Sequence, residues 1–454
     1  MNQADNTPTK KPPTASGIPL IGNIAEFIVA RGMPIEFLQK TQQEHGDLVH
    51  IKIMNKDAYV VGDPALVHEI LVKRVHEFHK MEAIQEKRRG LSRFLGEGIL
   101  TAGYEAWRPQ RKVIQPLMHR KHIENYATIM SSKGDLLLSQ WEDGSERDIH
   151  ADLIQVTMWI IAESMFGLPP EEIPDFEDLI LELRKIILGD FISFLPEWIT
   201  KREAVADNIN EQLTSFVQRM VDGRTQTSDS ERYDLLSLLL AARDEDGNPM
   251  SQELIRDNIL TMFFAGHETT ANTLAWALFY LSQNPDVLRT LQEEVDQLLD
   301  DGRAPTLADL EKLPYTLMVI KETMRIQPTV AVIPRVTTTD TVLGEYTLEA
   351  NSILFLSPYL LHHDVRFWEN PDRYDPTRFT EENEANITKY AYLPFGGGPR
   401  VCIGNHFALM EAQILLAQII RRYQLSVVDG AHIEPERTAT THPKNGLPMH
   451  ISKR

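Results

Sequence analysis

The chain has one cysteine, and it lies in a loop suited to a deprotonated sulfur. Cys402 belongs to the run Phe395-Gly396-Gly397-Gly398-Pro399-Arg400-Val401-Cys402-Ile403-Gly404. An apolar, Ala-rich stretch over residues 407–417 follows and predicts a helix. The first backbone N–H groups of a helix have no internal partner and carry partial positive charge. A thiolate placed there accepts hydrogen bonds and is stabilised as the anion. Gly398 and Gly404 permit backbone shapes closed to other residues and let a flat, bulky partner approach the main chain. Arg400, two residues before the sulfur, offers a fixed cation to an acidic group on that partner. A second stretch able to do chemistry is Ala265-Gly266-His267-Glu268-Thr269-Thr270. A carboxylic acid beside a hydroxyl is a proton relay. Around it a helical pattern runs from Ser251 to Gln283 and stops at Asn284-Pro285. Gly266 weakens that helix by about 1 kcal/mol relative to Ala. The Thr269 hydroxyl can bond the Ala265 carbonyl four residues back. The expected outcome is a local bulge with small residues leaving room for a small ligand.

The pattern Phe-x-x-Gly-x-Arg-x-Cys-x-Gly closely resembles the haem-binding loop of the cytochrome P-450 family. The stretch from Ala265 to Thr270 is similar to that family's oxygen-activation signature. On its own the first pattern also fits a haem-thiolate sensor, and the second fits a helix kink with polar residues facing solvent. The resemblance implies haem b as cofactor and Cys402 as the axial ligand of its iron, a thiolate that favours O–O cleavage. It makes Arg400 the partner of a haem propionate and packs Phe395 beside the sulfur. It places Ala265 and Gly404 against the cofactor. It assigns Thr269 to hydrogen bonding with bound oxygen and Glu268 to proton supply.

These groups need elements to position them. Trp107-Arg108-Pro109-Gln110-Arg111 predicts a helix start, with Pro109 tolerated in the first turn. Trp107 and Arg111, four apart, share a face. The resemblance makes both propionate partners, through an indole N–H and a guanidinium; an amphipathic surface helix would read the same way. Residues 108–122 carry Arg108, Arg111, Lys112, Arg120 and Lys121 and no acid. This is either a solvated face or a basic patch that steers an acidic ferredoxin or flavodoxin to the cysteine side of the haem. Glu-x-x-Arg occurs several times, but only Glu322-x-x-Arg325 is followed by Pro328, Arg335 and Tyr374-Asp375-Pro376-Thr377-Arg378-Phe379. That last segment resembles the family's Phe-x-Pro-x-Arg-Phe, with Tyr in the first place. By resemblance Glu322, Arg325 and Arg378 form a buried triad, and Arg335 is another propionate partner. Ile99, Leu100, Val330, Ala331, Val332 and Thr440 would line an aliphatic substrate pocket. His362 and His363 are adjacent, point to different faces and read as structural.

The whole chain sets outer bounds. Its formal net charge is −19, which argues against nucleic acid as a partner and against an anionic membrane surface. A single cysteine excludes a disulfide framework and a Cys-based zinc site, and fits a reducing compartment. Residues 1–16 are polar and rich in Pro, Thr and Lys, the composition of a flexible arm. The early apolar run is broken by Pro19, Gly22, Asn23 and Glu26, whereas a membrane span needs about 20 apolar residues. A cytoplasmic protein without a membrane anchor is expected. A length of 454 residues suggests two or three domains. The resemblance overrides this in favour of one mainly α-helical domain over residues 17–454, with β-rich parts near 48–62, 335–355 and 425–452. Residues 179–198 are either core helix plus loop or, by resemblance, a mobile lid. No flavin reductase segment follows, so electrons are expected from NAD(P)H through a separate ferredoxin or flavodoxin. The reaction implied is insertion of one oxygen atom of O2 into a lipophilic small molecule such as a fatty acid, terpenoid or steroid. A peroxide-driven peroxygenase, a hydroperoxide-rearranging relative and a haem-based sensor are the alternatives.

Overall fold

The computed structural model describes residues 10–81, 91–118, 120–173, 202–226, 234–243, 246–300 and 302–454, with a few single positions between 176 and 186. It forms two compact units, each assembled from separate stretches of chain. The first takes residues up to 84, 330–371 and 387–402; the second takes 85–329, 372–386 and 403–454.

The first unit is built on a five-stranded sheet. Its strands are β1 (Leu48–Ile53), β2 (Lys56–Val61), β3 (Phe78–His79), β4 (Ile333–Thr337) and β5 (Ile353–Leu356), in spatial order β1-β2-β5-β4-β3. Strand β2 pairs antiparallel with β1 and parallel with β5. Successive strand side chains point to opposite faces, so the apolar run of β2 feeds two cores. Tyr59 and Val61 pack with Leu354 and Leu356 on one face. Ala58 and Val60 pack with Val49, Ile51 and Phe355 on the other. Part of the expected flexible arm is fixed here. Ala15 N donates to His50 O at 2.9 Å and His50 N to Pro13 O at 2.8 Å, because β1 is an edge strand whose free backbone groups take up a partner. Residues 1–9 lie outside the described residues.

The second unit is helical. Helix α1 (Tyr104–Ile114) starts three residues earlier than expected, since Trp107 N already closes a turn on Gly103 O at 2.9 Å. Pro109 therefore lies inside the helix and not in its first turn. A 3-10 turn, Gln115–Met118, divides the basic stretch 108–122 between α1 and the helix Arg120–Leu138. Helix α2 (Ile149–Phe166) packs against the long α3 (Gln252–Gln283). Ser251 caps α3, its Oγ accepting from Leu254 N at 3.1 Å. The expected bulge does not interrupt α3, which stays α-helical through Ala265–Thr270. Gly266 serves packing instead: a Cβ there would lie 2.7 Å from the Ile161 side chain of α2. Helices α4 (Pro314–Ile326) and α5 (Asn405–Arg422) complete the core.

Strand Tyr423–Val427 pairs antiparallel with Pro448–Lys453, and Glu146–Asp148 adds a third strand. A short hairpin, Pro435–Arg437 with Thr441–Pro443, is anchored to α3. Trp276 Nε1 donates to Thr441 O at 3.3 Å, and Thr441 N donates to Thr329 O at 2.8 Å. The fold is mainly α with small β-sheets. Among the described residues no helix is long and apolar enough to cross a membrane.

Candidate active site

The cysteine loop belongs to the first unit. A 3-10 turn, Gly398–Arg400, precedes Cys402, and Cys402 N donates to Phe395 O at 3.0 Å. Gly398 has φ +68°, and a Cβ there would lie 2.0 Å from Leu71 O, so only glycine lets the loop seat on that carbonyl. The Cys402 residue is exposed. Leu393 N donates to Nε2 of the fully buried His362 at 2.8 Å, which leaves the His362 proton on Nδ1. The neighbouring His363 turns to the Tyr359 carbonyl at 2.9 Å and stacks on the Tyr359 ring. Arg335 is buried and donates to Pro334 O at 2.8 Å. Phe395 and Arg400 are half-buried. Ala331 and Val332 pack into the core behind β2, while Val330 is exposed.

In the second unit, Gly404 is the N-cap of α5, and a Cβ built on it would meet no protein atom within 4 Å. On α3, Thr269 Oγ1 donates to Ala265 O at 3.0 Å. Glu268 is buried, and its Oε1 accepts from Thr440 Oγ1 at 2.5 Å. Trp107 is buried, with the Arg111 guanidinium 5.9 Å from its ring centre, a cation–π pair across one turn. Arg108 and Lys112 are exposed; the side chains of Arg120 and Lys121 lie outside the described residues, as does most of the stretch 179–198. Ile99 is buried and its N–H donates to Asn258 Oδ1 of α3 at 3.1 Å, while Leu100 is half-buried.

Glu322, Arg325 and Arg378 come together. Arg325 binds Glu322 at 2.7 and 2.8 Å, and Arg378 Nε lies 3.4 Å from Glu322 Oε1. Asp375 N adds a further hydrogen bond to Glu322 at 2.9 Å. Burial pushes the Glu322 carboxyl up, and these donors pull it back.

Two buried groups were missed by reading the sequence. One is His362, read only as structural, whose bond to the Leu393 N–H was not foreseen. The other is Glu411, a lone acid in the apolar 407–417 run, which is the signal that could have found it. Glu411 is fully buried on α5 beside Thr270, and burial pushes its carboxyl up to about 8. The Thr270 hydroxyl does not close a hydrogen bond with it.

The donor set of the first unit fits a haem-thiolate centre: an exposed thiol that follows a glycine turn. The model of the family "Cytochrome P450" matches residues 12–449. The chain belongs to the cytochrome P450 family. Its P450 relatives include cyclooctatin synthase of Streptomyces melanosporofaciens, 33% identical over 95% of this chain and 94% of that protein. Pentalenene oxygenase of Streptomyces avermitilis is 29% identical over 97% of both chains. Cyclooctat-9-en-7-ol 5-monooxygenase of Streptomyces melanosporofaciens is 31% identical over 92% and 90%. The crystal structure of the cytochrome P450DA heme domain shares the fold, with a TM-score of 0.87 over 98% of both chains at 24% identity. As a P450 the protein is a haem-binding monooxygenase, an oxidoreductase that incorporates oxygen into its substrate.

Proposed function

We propose that this P450 oxygenates a terpenoid, using electrons from NAD(P)H passed by a separate acidic ferredoxin or flavodoxin. The observation that carries the monooxygenase chemistry is the pairing on α3 of a buried acid, Glu268, with Thr269. The terpenoid assignment rests on the relatives named for pentalenene and cyclooctat-9-en-7-ol.

Haem b would be held by Cys402. Arg400, Arg335, Trp107 and Arg111 would serve its acidic groups, and Phe395, Ala265 and Gly404 would lie against it. When bound, the haem supplies activation of dioxygen. The chain's own residues do the rest. Cys402 would serve as the thiolate. Thr269 gives its hydroxyl hydrogen to Ala265 O, so its oxygen lone pairs are free to accept a hydrogen bond. Glu268 can keep a proton at Oε2 while Oε1 accepts from Thr440, and burial limits exchange of that proton with water. On the electron-supply side, Arg108, Arg111 and Lys112, with Arg120 and Lys121, are the candidate docking cations.

The test begins with the absorption spectrum of the dithionite-reduced protein under carbon monoxide. A Soret band far to the red of that of His-ligated haem is expected. Pentalenene and cyclooctat-9-en-7-ol are then supplied under labelled dioxygen with a surrogate ferredoxin and its reductase, and one labelled oxygen atom is expected per product. Turnover of fatty acids with neither terpenoid oxidised or bound would overturn the substrate class. Equal turnover with hydrogen peroxide alone would overturn the electron-donor reading.

A further inference from the structure

The bond between Thr440 and Glu268 is the last link of a buried chain that begins on a different helix. Thr440 Oγ1 lies 2.5 Å from Glu268 Oε1 and 3.3 Å from Asn272 Nδ2. Asn272 Oδ1 lies 2.7 Å from His150 Nε2. None of the four residues is more than 8% exposed, so bulk water has little access to replace a missing link. Glu268 and Asn272 are four apart on α3 and share a face. His150 sits in the first turn of α2, where the capping carboxylate of Asp148 accepts its backbone N–H at 3.0 Å. Its ring lies parallel to that of His442, 6.2 Å away, and His442 in turn faces Glu436 at 3.2 Å.

Donor and acceptor rules give this chain one direction. An amide nitrogen only donates, so Thr440 Oγ1 accepts from Asn272. A hydroxyl has a single hydrogen, and that hydrogen goes to Glu268 Oε1. An amide oxygen only accepts, so His150 must carry its proton on Nε2. The direction of the last bond is therefore set by the proton on the first residue.

We propose that His150 is a positioning residue for Glu268: through Asn272 and Thr440 it holds Oε1 of the acid as a hydrogen-bond acceptor and leaves Oε2 as the atom that carries and releases the proton. This rests on the assignment of Glu268 to proton supply. Glu268 itself keeps the chemical role, and His150 acts only by orienting it. Without the chain, Thr440 can turn its hydrogen away from Oε1 of the acid.

The experiment uses the holoenzyme in its reduced, carbon monoxide-bound form, labelled with 15N-histidine. The ring resonances lost in His150→Phe identify His150. The Nε2-protonated form is expected in the wild type, and Asn272→Leu should move the tautomer balance. The second readout is peroxide released per NAD(P)H with pentalenene and a surrogate ferredoxin. His150→Phe should raise it two- to five-fold, with the pentalenene Kd changed less than two-fold, and Thr440→Val should raise it as well. His150→Gln, which can donate at the same place, should keep wild-type coupling. An Nδ1-protonated His150 overturns the proposal, as does wild-type coupling in His150→Phe, or uncoupling in His150→Gln equal to that in His150→Phe. If pentalenene is not oxidised, the substrate reading fails and the tautomer alone decides the chain.

Discussion

Arg325 grips Glu322 through two hydrogen bonds, Nε to Oε2 at 2.7 Å and a terminal nitrogen to Oε1 at 2.8 Å, with neither side chain exposed to solvent. Removing one partner of a buried pair leaves an uncompensated charge, at a cost of about 3–5 kcal/mol. Arg325→Leu is expected to lower stability by about that much, and Arg325→Lys by less, since lysine cannot bridge both oxygens. Guanidinium denaturation of the two variants checks this. A loss under about 1 kcal/mol for Arg325→Leu would mean that Arg378 and the Asp375 N–H suffice to hold Glu322.

Glu411 makes stability depend on pH. Its carboxyl is raised to about 8 in the folded protein, against an unfolded value of about 4.3. Between those values the native state holds more protons than the unfolded one. Its contribution is full below about pH 4, declines as pH rises, and is gone above pH 8, a change on the order of several kcal/mol. Glu411→Gln stays neutral and should remove the decline. Denaturation midpoints at pH 5 and pH 8 are the check: the variant should gain on the wild type at pH 8. An unchanged gap between the two would show that Glu411 does not titrate in this range.

His362 accepts the Leu393 N–H inside the first unit and so pins the segment that leads into the cysteine loop. His362→Leu leaves that N–H unsatisfied, a loss of about 1–3 kcal/mol. The expected result is weaker haem retention and a smaller fraction of thiolate-type carbonyl band. His362→Gln can still present an acceptor and should recover part of it. Equal spectra for wild type and His362→Leu would remove His362 from loop positioning.

Thr269→Ala should divert electrons to peroxide, with less product per NAD(P)H, while Thr269→Ser keeps most of the wild-type coupling. The ratio of product to NAD(P)H under identical oxygen decides it. Unaltered coupling in Thr269→Ala would take this hydroxyl out of the proton relay.

Replacing Arg108 and Lys112 together by Glu should slow reduction by an acidic ferredoxin at low ionic strength. The gap should close as salt rises, because exposed charges are screened over roughly 8–10 Å. Stopped-flow reduction at two salt concentrations reads this directly. Equal rates at low salt would make these cations no more than a solvated face.

What could be read from the sequence depended on how local each contact is. Thr269 to Ala265 and Glu322 to Arg325 follow from helical spacing alone, four and three residues apart. The β-rich parts expected near 48–62 and 425–452 hold the pair β1–β2 and the terminal strand pair. Pro109 misled because a proline marks a helix start only on average, and here Gly103 and Tyr104 begin the turn earlier. Thr440 to Glu268 was out of reach: it needs the seating of a short hairpin on α3, a tertiary fact with no local signature. His362 to Leu393 was hidden for the same reason. Gly266 looked like a weak point in a helix and is a contact surface for Ile161.

The close fit of Gly398 on Leu71 O has a bearing on how the protein is made. Leu71 lies in the first part of the chain, and Gly398 follows only after most of the second unit has been synthesised. The ribosome therefore releases an early segment whose partner does not yet exist, and the carbonyl of Leu71 must wait for it. Cofactor-competent loop geometry is a late event in biogenesis, reached only when the two ends of a long detour meet, and truncated nascent chains cannot acquire it.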